Sequence, residues 1–317
     1  MMFLLAWLLT ADPVVADPVV ESGPQAVVVV GKGGEPAYVS AFAGAATQWK
    51  TRLGNRCRVV APGEAESTQK ARTFAAIDDI TEPLWIVLIG HGTDDGQTPR
   101  ISLDGPDLSA QELAEAIASR DTPTAVLVTS SASGAFVNVL SGPGRVVVTA
   151  TKNAQERDAT RMPAVLAETI ATGRGDFDKD GRVSLLEIAV DAAARVEGSY
   201  DTDGQIATEH ALIDDNGDGR GTRLDWFDGV RIDPAKARDG AVDGELARTF
   251  FLDSATTEAV LSEEDEQRRR DLERQLEQLR RTRPQRVDDA YLDQLEAILV
   301  PLARLSVGKA GEASVGE

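Results

Sequence analysis

Apolar residues along this chain form short runs, and longer stretches of mixed polarity separate them. The runs predict buried strands at 26–30, 57–60, 84–90, 124–130 and 146–150. The mixed stretches space their apolar residues as a helix does, near 37–53, near 68–78 and from Gln111 to Ser119. Alternating strands and helices indicate an α/β fold, with a mostly parallel sheet in a three-layer α/β/α arrangement.

A polar loop follows the 84–90 strand, and it contains a further short strand predicted from Arg100 to Leu103. Either Asp107 or Ser109 can cap the helix that comes next, because both side chains can accept hydrogen bonds from the first free N–H groups of a helix. The loop therefore predicts an excursion from the main sheet between two of its strands.

The C-terminal part of the chain has a different pattern, rich in Glu, Gln and Arg. From Ser262 to Arg281 a helix is predicted, and the Thr282-Arg283-Pro284 stretch ends it. A second helix carries apolar residues at helical spacing: Tyr291, Leu295, Ile298, Leu299, Leu302 and Leu305. Two helices joined by a short turn predict an antiparallel hairpin, which either packs on its own domain or acts as a coiled-coil arm for self-association or for another protein.

The N-terminal residues 1–16 have the length and apolar core of a signal peptide, with small residues before Asp17. No Lys or Arg precedes Lys32, so a buried first helix and a misassigned start remain alternatives. The signal-peptide interpretation predicts export to a periplasmic or extracellular compartment. No other segment predicts an integral membrane span.

These patterns divide the chain into five parts. After the signal peptide come a Pro- and Val-rich linker at 17–25 and an α/β domain at 26–236. A connector and the helical hairpin occupy 237–305, and 306–317 is predicted to be a disordered tail.

The composition limits the classes of partner. The chain has 317 residues with 33 Lys and Arg against 52 Asp and Glu, a formal charge of −19. This balance disfavours nucleic acid and anionic membrane surfaces, whose recognition depends on basic side chains. With the single cysteine, Cys57, no internal disulfide can form, and we expect this thiol to pack as a small apolar side chain.

The segment 176–187 fits the twelve-residue loop of an EF-hand, with Gly181 at the position of its sharp turn. The predicted ligands are Asp176, Asp178, Asp180, the backbone carbonyl of Arg182, Ser184 and Glu187. Hard oxygens at this spacing favour Ca²⁺ over softer metals. Gly173-Arg174-Gly175 interrupts the expected entering helix, so we interpret the unit as an EF-like loop inserted in the α/β domain.

A second acidic loop, 214–225, repeats the opening of this motif but ends in the shorter Asp225. Its predicted ligands are Asp214, Asn216, Asp218, the carbonyl of Arg220, and Asp225. Both a weaker calcium site and a solvated turn are consistent with this pattern. His210, close to this loop, is interpreted as a local hydrogen-bonding residue, and the presence of only two histidines and one cysteine argues against a zinc site.

Two strand ends carry the other candidate chemistry. The 84–90 run ends in His91-Gly92, and the 124–130 run ends in Ser131-Ala132-Ser133-Gly134. The carboxyl ends of strands are where open α/β sheets place their sites. Over roughly 25–168 this arrangement resembles the caspase–legumain clan of cysteine peptidases, and it is most similar to legumain.

The resemblance implies a role for each matching position. In that family a His polarises the reaction, a Cys attacks the peptide carbonyl, and backbone N–H groups stabilise the oxyanion. The positions carried over are His91, Gly92 and Ser131, so the His and Gly match while a serine stands in place of the nucleophilic Cys. A serine hydroxyl needs a well-placed base that a third group orients, and no such Asp is evident, although Asp94 and Asp95 are near in sequence.

The sequence therefore predicts a calcium-stabilised, exported, legumain-like pseudoenzyme that serves as a binding or structural module. The alternative is an active hydrolase that uses Ser131, or Ser130, with His91. A third hypothesis is a calcium sensor that changes conformation when the ion binds.

Overall fold

The computed structural model describes residues 23–63, 65–232, 236, 242–252, 263–281 and 288–307. The strands are β1 (Gln25–Val30), β2 (Cys57–Val60), β3 (Leu84–Ile89), β4 (Gly92–Asp94), β5 (Pro99–Ile101), β6 (Leu108–Ser109), β7 (Thr124–Val128), β8 (Arg145–Thr149), β9 (Leu212–Asp214), β10 (Thr222–Arg223), β11 (Phe227–Asp228) and β12 (Arg231–Ile232). The helices are α1 (Pro36–Leu53), α2 (Gln69–Asp78), α3 (Ala110–Ala116), α4 (Val137–Leu140), α5 (Met162–Thr172), α6 (Leu185–Thr202), α7 (Glu263–Arg281) and α8 (Asp289–Val307).

The central sheet has seven strands in the order β10-β9-β8-β7-β3-β1-β2. Strands β2, β1, β3, β7 and β8 pair in parallel, whereas β9 and β10 extend one edge in antiparallel pairing. The chain runs from β1 to β2 on one side and then to β3 on the other, so the strand order reverses between β1 and β3. The predicted α/β fold with a mostly parallel sheet is confirmed.

Alternate residues of each inner strand serve the two faces of the sheet. In β1, Ala26 and Val28 pack with α1, α5 and α6 on one face, whereas Val27 and Val29 belong to a separate core on the opposite face. Helices α2, α3 and α4 cover that opposite face. Every residue of β3 and β7 is buried, which accounts for their unbroken apolar runs.

The strands and helices predicted over residues 26–150 lie close to the observed ones, whereas the sequence analysis did not predict α5 or strands β9 to β12. The loop after β3 forms a small antiparallel sheet in the order β4-β5-β6, of which the sequence indicated only the middle strand. Ser109 caps α3 in a full capping box with Glu112, whereas Asp107 accepts a hydrogen bond from the backbone N–H of Leu103. Ser109, rather than Asp107, is the capping residue.

Helices α7 and α8 contact each other as a hairpin. Arg269 on α7 forms an ion pair of 2.7 Å with Asp180 of the 176–187 loop, here called the first acidic loop. The predicted helix break at 282–284, the N-terminal residues 1–22 and the tail from 308 lie outside the described residues, while residues 306 and 307 belong to the backbone of α8. None of the helices that the structure describes combines the length and apolar character needed to cross a membrane.

Candidate functional site

The two strand ends singled out by sequence lie side by side. Strands β3 and β7 are parallel neighbours, and the hydroxyl of Ser131 donates to the carbonyl oxygen of Gly92 at 3.3 Å. A Cβ at position 92 would overlap the backbone carbonyl oxygen of Ser131, so only glycine permits this approach. The structure thus brings His91, Gly92 and Ser131 to one edge of the sheet, where the strand order reverses nearby.

The imidazole of His91 faces the first strand and its helix rather than the serine turn. Its Nε2 lies 3.0 Å from the carbonyl oxygen of Gly33. A carbonyl can only accept, so Nε2 carries the proton and the lone pair of the neutral ring is on Nδ1. The rings of Tyr38 and Phe42 contact the imidazole edge to face, with centroid distances of 4.9 and 5.3 Å. These contacts fix the ring orientation on the α1 side.

No hydrogen bond joins His91 to a serine of the 130–133 turn within the described residues. The nearby Asp95 also does not orient the imidazole, because its carboxylate accepts from Arg100 at 2.8 Å. This bond, with the N–H groups of Thr98 and Gln97, lowers the pKa of Asp95 to about 2. Among the described residues, Ser131 is thus not hydrogen-bonded to His91, and Asp95 does not act as the carboxylate that would orient the imidazole.

The serines instead hold the turn in place. Ser130 donates to the carbonyl oxygen of Ser131, and the backbone N–H of Thr151 donates to the hydroxyl of Ser133 at 3.0 Å. Between them Ala132 adopts a left-handed conformation with φ 53°, and its N–H donates to the carbonyl oxygen of Glu156. The hydroxyl groups of this turn thus satisfy buried polar groups.

An open cavity of about 790 Å³ lies beyond the serine turn. It is lined by Gly134, by Lys152 in the loop after β8, by Asp218 of the second acidic loop and by Trp226. Neither His91 nor Ser131 lines this cavity. A ligand here would not reach the candidate dyad directly.

The first acidic loop brings three carboxylates together. Ligand oxygens of Asp176, Asp178 and Glu187 all lie within 4.8 Å of one another. Burial, together with the negative charges of Asp180 and Glu187, raises the pKa of Asp178 to about 6. Hard oxygens at this separation fit a divalent cation, whose charge would offset the repulsion.

Glu187, at the twelfth position of this loop, is almost fully buried and closes the loop on itself. Its Oε1 accepts from the N–H of Phe177 at 2.8 Å and from that of Asp178 at 3.4 Å. Its Oε2 accepts from both the N–H and the hydroxyl of Ser184, each at 2.8 Å, which also caps α6. Helix α5 ends at Thr172, with Gly173 left-handed at φ 61°, so the entering helix stops short of the loop as expected.

The other predicted ligands of the first loop have further contacts. Asp180 accepts from the N–H of Arg182 and forms the ion pair with Arg269. The guanidinium of Arg182 lies 3.4 Å over the ring of Phe251 in a cation–π contact. Phe251 also forms an isolated antiparallel bridge with Ser184, which attaches the 242–252 segment to this loop.

The second acidic loop connects β9 and β10 and is more deeply buried at its start. Asp214 has no exposed surface, and its Oδ1 accepts from Ser141 at 2.9 Å. Asn216 and Asp218 each accept a hydrogen bond from an N–H two residues further on, at 2.9 and 2.7 Å. Asp225 is taken up by an ion pair with Arg223, through both of its oxygens.

Sequence analysis missed Asp243, which is buried against this loop. Its Oδ1 accepts from the N–H groups of Asp215 and Asn216, and its Oδ2 accepts from the N–H and hydroxyl of Thr222. No motif surrounds Asp243, so only the three-dimensional structure could identify it.

The remaining titratable residues singled out by sequence have local roles. His210 lies 2.5 Å through Nδ1 from Glu156, which also pairs with Lys152 at 2.9 Å. Cys57 is buried, and burial raises the pKa of its thiol to about 11. The interpretations of His210 as a hydrogen-bonding residue and of Cys57 as a core residue agree with these contacts.

Comparisons with known proteins add little to this geometry. No protein-family model matches the chain, and no curated protein matches it. Among solved structures, the crystal structure of protein GSU0716 from Geobacter sulfurreducens is similar at 11% identity and a TM-score of 0.38, covering 55% of this chain and 89% of that one.

Proposed function

We propose that this chain is a catalytically inactive, calcium-binding member of the legumain–caspase type, exported and acting as a binding or structural module. The observation that carries the proposal is the engagement of both dyad groups elsewhere. Nε2 of His91 donates to Gly33, and the hydroxyl of Ser131 donates to Gly92. Neither group is positioned to activate the other.

Calcium is the proposed ion of the first loop. The clustered oxygens of Asp176, Asp178 and Glu187 support this assignment, since a cation removes a repulsion that otherwise opposes folding. The loop begins after α5 and ends in the cap of α6, so an ion here braces two helices of one face. A bracing role fits better than a sensor role, because α5 ends at Thr172 and does not continue into the loop.

The hairpin of α7 and α8 is proposed as the docking arm. Three apolar side chains of α8 remain at least 39% exposed: Leu292, Leu299 and Val300. Leu292 and Leu299 are seven residues apart and share a helix face, which is the spacing of a coiled-coil seam. Sedimentation of the full chain at rising concentration tests self-association, and Leu292→Ser with Leu299→Ser should abolish it.

An active hydrolase is the alternative, favoured by the adjacency of the His91 and Ser131 strand ends. The deciding experiment incubates the purified full chain with a diverse peptide library, with calcium and with chelator, beside His91→Ala. We expect no cleavage in any sample and a melting temperature that calcium raises. Cleavage that is lost in His91→Ala would establish the hydrolase instead. A melting temperature that does not change when calcium is added would contradict the proposed calcium site.

A further inference from the structure

We propose that the second acidic loop is also a calcium site, closed by Asp243 and not by Asp225. Its ligands would be Asp214, Asn216, Asp218, the carbonyl of Arg220, and Asp243. The inference extends the proposed calcium function to a new site and a new residue. It differs from an EF-hand in one respect, because the closing carboxylate comes from a separate stretch of chain.

The hydrogen bonds of Asp243 reproduce those of Glu187 position by position. In the first loop Glu187 accepts from the N–H groups of positions two and three and from the N–H and hydroxyl of position nine. In the second loop Asp243 accepts from the same positions, now Asp215, Asn216 and Thr222. These four bonds use the four lone-pair sites of the carboxylate, so a cation that binds Asp243 would displace at least one of them.

An independent observation points to a ligand. Asp214, at position one, has no exposed surface, and its Oδ2 has no hydrogen-bond partner among the described residues. Leaving a buried carboxylate oxygen unpartnered is costly, so such an atom calls for an ion or a proton. The negative charges of Asp243 and Asp218 also act on Asp214. The unpartnered oxygen therefore belongs to the same acidic cluster.

The position of Asp225 supports Asp243 as the closing ligand in its place. Both of its oxygens are held by Arg223, which removes it from the loop. Thr222, at the ninth position of the second loop, lies in strand β10, so the chain follows the sheet edge there. In the first loop the chain instead enters helix α6 after the ninth position, and that helix carries Glu187. A twelfth-position ligand from within the loop is thus replaced by one from the 242–252 segment.

This site would fasten the 242–252 segment to the sheet edge. Asp215 holds the same segment through the N–H groups of Gly244 and Ala247, both at 2.8 Å. Further along, the carbonyl of Phe250 accepts from Leu185 at 2.7 Å at the start of α6. One segment therefore contacts both acidic loops.

Calorimetric titration of the chelator-stripped full chain with calcium chloride tests the inference. We expect two bound ions, reduced to one by Asp243→Asn and left at two by the matched control Asp225→Asn. Glu187→Gln should remove the other ion, which separates the two sites. Asn216→Asp adds a carboxylate without removing a contact, and it should tighten one of the two sites about tenfold.

Each outcome has a defined meaning. Two ions retained in Asp243→Asn, or one lost in Asp225→Asn, would overturn the assignment of Asp243. A single ion that Glu187→Gln removes would overturn the second site while leaving the proposed function intact, and no binding at all would overturn both. Should Asp243→Asn not fold, an unchanged titration of Asn216→Asp would overturn the inference, and a tightened one would support it.

Discussion

At the residue scale, both members of the candidate dyad, His91 and Ser131, already form hydrogen bonds with groups outside the dyad. The His91 ring presents Nε2–H to Gly33, while Ser131 donates to Gly92. Sequence correctly identified the neighbouring positions, because His-Gly and the serine turn each follow a buried run. It could not indicate the ring orientation, which depends on Tyr38 and Phe42 from a helix that precedes the site in the chain.

A cysteine at position 131 measures whether His91 acts on this position. We expect the thiol pKa of Ser131→Cys to lie at or above the ordinary value of about 8.5, because position 131 is buried and no imidazole is hydrogen-bonded to it. The alkylation rate should change less than about twofold in the double variant with His91→Ala. Cys57 adds no background, since its pKa is raised to about 11 by burial. A thiol pKa that is lowered in the presence of His91 would contradict the proposal that this site is catalytically inactive.

Glu209 makes a pH-dependent contribution to the free energy of unfolding, and this contribution does not involve the acidic loops. Burial raises the pKa of this carboxyl above 4.5, although the N–H groups of Arg161 and Met162 oppose the shift. The folded state therefore holds its proton more tightly than the unfolded chain. The contribution is fully present below pH 4.5 and is lost as pH rises through the folded pKa.

We accordingly expect the destabilisation caused by Glu209→Gln to be larger at pH 4.5 than at pH 7. Urea unfolding of both proteins across this range measures it, and the exposed Glu115 substituted by Gln serves as the control. If the difference in free energy of unfolding between wild type and Glu209→Gln stayed constant or widened towards neutral pH, the pKa of Glu209 in the folded state would not be raised.

At the scale of elements, the first acidic loop is coupled to the C-terminal hairpin. Sequence identified both the loop and the two helices, because each has a local pattern: oxygens at fixed spacing in one and helical periodicity in the other. Their contact through Arg269 and Asp180 could not be predicted, since 89 residues separate the partners. Most of the small β4-β5-β6 sheet was not predicted from the sequence, because strands of two or three residues leave little periodicity to detect.

Arg269→Ala should tighten calcium binding to the first loop. The guanidinium places a positive charge on the loop carboxylates, and a divalent ion near it is repelled by about 1 kcal/mol, or roughly fivefold in affinity. Calcium titration of the variant measures this change. Arg268→Ala, on the same helix but exposed, should leave the affinity unchanged. Weaker binding in Arg269→Ala would mean that docking of α7 shapes the loop for the ion.

At the scale of the molecule, the sequence was sufficient for the layered architecture and insufficient for its long-range closures. Buried runs such as β3 and β7 predict strands wherever they occur, and alternation with helices determines the parallel pairing. Asp243 has no such pattern around it, and it becomes meaningful only when the 242–252 segment folds back on the sheet edge. The strand order likewise follows from packing and not from any local motif.

The formal charge of −19 predicts how the calcium-free protein responds to salt. In chelator, sodium chloride should raise the melting temperature, because it screens repulsion among exposed carboxylates. With calcium bound the same salt should have a smaller effect, since the ion already neutralises part of that charge. Thermal melts at matched ionic strength test this, with magnesium in place of calcium as the control. An equal salt response in both states would indicate that the ion does not reduce the repulsion.

Few covalent means of joining distant stretches are open to a chain with a single cysteine. The 242–252 segment reaches one acidic loop through Asp243 and the other through Phe251. If calcium binds as proposed, it acts as a reversible cross-link, in the place where many exported proteins use a disulfide. If the chain is also exported as proposed, this cross-link would stay open where calcium is scarce and close outside the cell, so the surroundings would complete the maturation of the protein without an oxidising enzyme.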